Sequence, residues 1–168
     1  MLPGEPALFC WNLELAESIE YSGLVFSFSG NLEARAVKSA EGRNFWVEIT
    51  VACKGSVPCS RCLKETPLEI IGTFRYFYTP SAEVDEQAAD DEMTVAYPPE
   101  AVEIDLSGQI WESLVMSLPV KILCRDDCAG LCPKCGADLN LGTCGCPKET
   151  LDPRLQALKE VLPGVSEE

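Results

Sequence analysis

Six cysteines stand between residues 124 and 146 of a chain that contains no histidine. They run as Cys124-x3-Cys128-x3-Cys132-x2-Cys135-x8-Cys144-x-Cys146. Cys132-Pro133-Lys134-Cys135-Gly136 reads as a knuckle. Two thiolates three positions apart, then a glycine free to take positive φ, let backbone N–H groups turn toward the sulfurs. Cys144 and Cys146 form a second close pair, after a loop short enough to fold back. Two such pairs are what a tetrahedral four-thiolate zinc site needs. The expected ligands are Cys132 and Cys135 with two of Cys124, Cys128, Cys144 and Cys146, the last two favoured.

The missing histidine excludes whole classes of chemistry. Serine–histidine and cysteine–histidine triads, the HExxH peptidase helix and imidazole acid–base catalysis all require it. Four thiolates suit a closed structural site better than a catalytic one, which keeps a position for water. The competing readings are a metal-free thiol cluster and a disulfide framework, and disulfides need an oxidising compartment. The opening stretch MLPGEPALFCWNLELAES has no basic residue before its apolar patch, which makes a poor signal peptide. No run of 18 apolar residues occurs. A cytoplasmic, metal-holding protein without enzymatic activity is therefore expected.

At 168 residues and 46% hydrophobic content, the chain can bury one ordinary core and carry a small metal-stapled appendage. Its formal charge is −14. Between Arg75 and Lys121 there is no Lys or Arg, while ten acids occur there, from Glu83 to Glu112. Such a block cannot lie along a phosphate backbone, where binding rests on Lys and Arg displacing counterions. Glu83, Asp85, Glu86, Asp90, Asp91 and Glu92 are expected to receive a basic protein partner, and the alternative is a solvated loop.

An α+β fold is expected: an antiparallel β-rich domain over residues 1–120 and a cysteine-rich tail over 121–168. Leu13 to Leu15 suit a short helix or an edge strand. Leu24–Gly30 and Leu32–Val37 read as a strand interrupted by glycine, and residues 45–53 alternate as a half-buried strand with Cys53 in its core face. Leu68–Tyr78 is a further strand. An acidic linker fills about 81–100, and residues 101–104 read as a short strand. One central amphipathic helix over 105–118, capped by Asp105 or Ser107, presents Ile110, Trp111, Leu114, Val115 and Leu118 to the core. Asp152-Pro153 opens a short C-terminal helix carrying Leu155, Leu158 and Leu162.

Cys59-Ser60-Arg61-Cys62 sits between two predicted strands. A thioredoxin-type CxxC caps a helix, whereas here Pro67 and a strand follow, so half a metal site is the better reading. A bolder arrangement counts eight clustered cysteines as two sets of four. Cys59 and Cys62 would then bind a second zinc with two tail cysteines, leaving Cys10 and Cys53 aside.

These residues recur together in a known pattern. Cys59-Ser-Arg-Cys62-Leu63 follows a strand, Ile104-Asp105-Leu106 opens a helix and Ser117-Leu118-Pro119 closes it. Then come Leu123-Cys124, Gly130-Leu131-Cys132-Pro133, Cys135-Gly136, Leu139-Asn140, Cys144-x-Cys146 and Asp152-Pro153-Arg154-Leu155. In that order the chain resembles the YceD family, the large ribosomal RNA subunit accumulation proteins, from Gly23 onward. The resemblance implies a zinc-binding tail and a part in accumulating 23S ribosomal RNA and assembling the large subunit. The implied partners are a large-subunit ribosomal protein, 23S pre-rRNA, or both. With so acidic a chain, RNA contact would fall to local bases such as Arg61, Lys64 and Arg75, or Lys121, Arg125, Lys134 and Lys148. The alternatives are a cytoplasmic thiol-redox protein using the CxxC pair and a zinc-ribbon adaptor in transcription.

Overall fold

A computed structural model describes residues 7–41, 43–81 and 93–147. The C-terminal helix expected around Leu155 and the acids from Glu83 to Glu92 lie outside the described residues. The chain divides into two compact units, Met1–Cys128 and Ala129–Glu168.

Unit 1 is built on a seven-stranded sheet. Its strands are β1 (Ala7–Leu13), β2 (Ser18–Tyr21), β3 (Leu24–Phe28), β4 (Leu32–Glu41), β5 (Asn44–Pro58), β6 (Glu65–Pro80) and β7 (Thr94–Tyr97). Strand β5 is the spine. Its first part pairs with β4, its far end meets β3 at Gly55 and Ser56, and its whole length pairs with β6. All pairings are antiparallel except that of β6 with β7. The alternation read from residues 45–53 holds, with Phe45, Val47, Ile49, Val51 and Cys53 all buried on one face.

Helix α1 (Ser107–Met116) covers that face. The Asp105 carboxylate accepts the Ser107 amide at 2.8 Å, and the same bond holds its pKa below the usual carboxylate range. Leu106, Ile110, Leu114 and Leu118 recur every four residues and are all buried. Ser113 is buried beside them and bonds the Tyr76 hydroxyl at 3.1 Å. Gly72 on β6 lets the helix close on the sheet, since a Cβ there would meet the Ser117 Oγ at 1.8 Å.

The strand interrupted by glycine over 24–37 holds: β3 and β4 follow one another along the same edge of β5, Ser27 opposite Ser56 and Glu33 opposite Ala52, with the break at Gly30 in positive φ. Two expectations need correction. Trp111 is 49% exposed, because the buried stripe falls on the positions either side of it. Residues 101–104 form no strand, while Thr94–Tyr97, inside the expected linker, does. Pro98 and Pro99 have no N–H to continue a ladder, and the Ala101 amide turns back to the Pro98 carbonyl at 2.9 Å. Residues 121–128 go with unit 1, which ends at Cys128. Reciprocal bonds explain it: Ser60 N–H donates to the Ile122 carbonyl at 2.8 Å, and Ile122 N–H to the Ser60 Oγ at 3.2 Å.

Candidate metal centres

The turn between β5 and β6 carries Cys59 and Cys62. Cys59 N–H donates to the Lys64 carbonyl at 2.9 Å, and Leu63 N–H to the Cys59 carbonyl at 3.0 Å. The turn closes because Leu63 takes φ 60°, a left-handed conformation that a branched side chain normally avoids. The returning segment 122–128 brings Cys124 and Cys128 to the same place, and the Arg61 guanidinium donates to the Cys128 carbonyl at 2.6 Å. The four Sγ atoms of Cys59, Cys62, Cys124 and Cys128 all lie within 4.8 Å of one another.

Unit 2 repeats the device. Cys132 N–H donates to the Ala137 carbonyl and Gly136 N–H to the Cys132 carbonyl, both at 2.8 Å, with Gly136 at φ 73°. Asn140 secures the loop, its side chain accepting the Ala129 amide at 2.8 Å. Cys144 and Cys146 complete a second set with Cys132 and Cys135, again with every sulfur within 4.8 Å of the others.

Each set fits a soft divalent cation. A tetrahedron with metal–sulfur bonds of about 2.3 Å has sulfur–sulfur edges of about 3.8 Å. In the first set Cys59 and Cys128 stand 3.8 Å apart, and Cys62 and Cys124 3.5 Å. The thiols are unequal in the same way in both sets. The Cys62 amide, then those of Arg61 and Cys124, point at Cys59 and lower its pKa to about 6. The Cys135 and Lys134 amides do the same for Cys132, also to about 6. Crowding by neighbouring sulfurs instead pushes Cys124 and Cys146 up to about 12, led by Cys62 and Cys135 respectively. Four sulfurs packed this closely resist joint ionisation unless a cation sits among them.

The structure thus brings together the four favoured tail cysteines, and separately joins Cys59 and Cys62 with Cys124 and Cys128. Cys10 is exposed on β1 and Cys53 is buried in the sheet, and neither belongs to a set. The first knuckle lacks the glycine that marks the second, and its turn is read instead from its place between two strands. The phase of the CxxC relative to the β5 strand was the available clue.

A family model described as large ribosomal RNA subunit accumulation protein YceD matches residues 47–162. An uncharacterized protein of Mycobacterium tuberculosis (strain H37Rv) is 32% identical over 133 residues, covering 79% of this chain and 61% of the relative. The chain thus spans about three fifths of the mycobacterial relative's length. An Arabidopsis thaliana protein named large ribosomal RNA subunit accumulation protein YCED homolog 1, chloroplastic, is 38% identical over 63 residues, covering 38% of this chain and 20% of the relative. No solved structure matches.

Proposed function

Since the chain belongs to the YceD family of large ribosomal RNA subunit accumulation proteins, we propose that it is a non-enzymatic factor in large-subunit biogenesis, acting in the cytoplasm. It would promote accumulation of 23S ribosomal RNA by binding a ribosomal protein, pre-rRNA, or both. The observation that carries this reading is the family match over residues 47–162, a span that contains both cysteine sets. Zinc suits such a donor set: four thiolates, all within 4.8 Å of one another, with two separations of the first set near a tetrahedral edge. Cys59, Cys62, Cys124 and Cys128 would hold one ion, and Cys132, Cys135, Cys144 and Cys146 the other. Their work would be architectural, fastening the β5–β6 turn in unit 1 and the knuckle of unit 2.

Thiol-redox chemistry fits less well. Cys59 is fully buried and Cys62 nearly so, and each shares its place with two further sulfurs. A disulfide exchanger needs an accessible thiolate. The acids Glu83, Asp85, Glu86, Asp90, Asp91 and Glu92 remain the proposed contact for a basic large-subunit protein. The test of the reading is sedimentation: tagged protein should travel with large-subunit precursors and be scarce in mature subunits. Its absence from every ribosomal fraction, with normal 23S levels in a deletion strain, would remove the proposal.

A further inference from the structure

The sheet has a second face, which α1 does not cover. On β5 it carries Trp46, Glu48, Thr50 and Ala52, and on β6 Phe77, Arg75, Thr73 and Ile71 stand directly opposite them in register. Trp46 and Phe77 meet with ring centroids 4.9 Å apart. Arg75 sits across from Glu48, yet its guanidinium lies 5.0 Å from the Trp46 ring, and it makes no ion pair among the described residues. Arg35, across β5 at Thr50, is exposed and likewise makes no ion pair among them. Beside it a hollow of about 500 Å³ runs to the edge strand β1, lined by Cys10, Asn12, Glu33 and Thr50.

We propose that this face, centred on Trp46, Phe77 and Arg75, is a stacking platform for unpaired bases of single-stranded RNA. Two half-buried aromatic rings on this face offer π surfaces to splayed bases, and guanidinium planes do the same while carrying charge for the phosphates. This face is less acidic than the chain as a whole. Arg35, Lys54 and Arg75 stand there among Glu33, Glu48, Glu69 and, at its end, Glu65, whereas the chain as a whole carries −14. Binding led by stacking is the mode such a protein can use, because a wide basic stripe is lacking. The proposal rests on the ribosome-biogenesis reading only for the choice of RNA as the natural strand.

The experiment uses the full, metal-loaded chain and a fluorescein-labelled uridine oligonucleotide of about a dozen residues. Anisotropy is followed as salt is varied, against the same label on an RNA duplex. The single strand should bind and the duplex should bind weakly. Trp46→Ala and Phe77→Ala should each weaken binding about 5- to 150-fold, the range for losing one stacked base. Trp46→Phe, which keeps a ring, should retain most of it. Arg75→Gln should flatten the salt dependence by about 0.7 in log–log slope. Trp111→Ala, an exposed tryptophan on the helix, should change nothing. Unbound single strand, a preference for duplex, or equal affinity across the variants would overturn the platform. So would a ribosomal protein captured through these rings with no RNA bound. A platform that fails while the protein still sediments with large-subunit precursors leaves the wider function intact. Ring-dependent binding without sedimentation would do the reverse.

Discussion

The two cysteine sets use one backbone device in opposite surroundings. Each knuckle closes with the same pair of hydrogen bonds and a left-handed residue after its second cysteine. The first is set into the end of a long hairpin, with Cys59, Cys62 and Cys128 buried. The second stands in a unit whose described part contains one isolated bridge, Leu131 with Asp138, and no named strand or helix. Where a sheet surrounds the sulfurs, apolar burial can hold the fold and the ion would only fasten a loop. Among the described residues of unit 2 there is no such core, and there a bound ion would hold the fold itself. With metal bound, the same motif would be an accessory in one unit and the foundation of the other.

Metal removal tests the contrast most severely. Zinc-finger peptides gain on the order of 10 kcal/mol or more from their ion, and nearly all of it is folding free energy. Chelation should therefore abolish amide protection at Cys132, Gly136 and Leu139, while Val47, Ile49 and Val51 keep theirs in hydrogen exchange. Comparable loss in both places would mean that the sheet depends on its ion too. Next in size is a division of the ions themselves. Cys132→Ser with Cys135→Ser, and separately Cys59→Ser with Cys62→Ser, should each lower zinc content from about two per chain to about one, as two closed four-thiolate sites require. A hairpin variant that keeps its full content would break the pairing of Cys59 with Cys128.

The sheet's independence can be probed from the other side. Leu114 is fully buried between helix and sheet, and Leu114→Ala should cost about 2–5 kcal/mol in denaturant unfolding of unit 1. Metal at the second set should stay in place. The smallest effect lies in the two turns. Gly136→Ala forces a Cβ into the left-handed region and should destabilise its knuckle by about 1 kcal/mol. Leu63→Gly should stabilise its own by about as much, since the strain at φ 60° disappears. If Leu63→Gly is neutral instead, the sheet has already absorbed the strain.

Legibility followed chain distance. Cys132, Cys135, Cys144 and Cys146 span fifteen residues, so a short loop closes them and spacing alone suggests the set. Cys62 and Cys124 stand 62 positions apart, and only the β5–β6 hairpin and the Ser60–Ile122 bonds decide that they meet. Period-two alternation exposed β5 and β6 because each has one wet and one dry face. Strand β7 escaped notice: four residues are too few for a period, and its pairing with β6 is set by tertiary contact. Trp111 misled because five apolar residues over-filled the helix stripe, and the sheet had room for fewer.

Gly72 and Ser117 leave a mark that ought to be visible across lineages. A methyl at 72 would sit 1.8 Å from the Ser117 Oγ and 2.9 Å from its Cβ, so neither rotation nor a small drift of the hydroxyl relieves the overlap. The two positions share a single allotment of volume. Homologues in which 72 has acquired a side chain should show glycine at 117, or a helix displaced from the sheet, and the two sites should covary more tightly than either does with its neighbours in the chain.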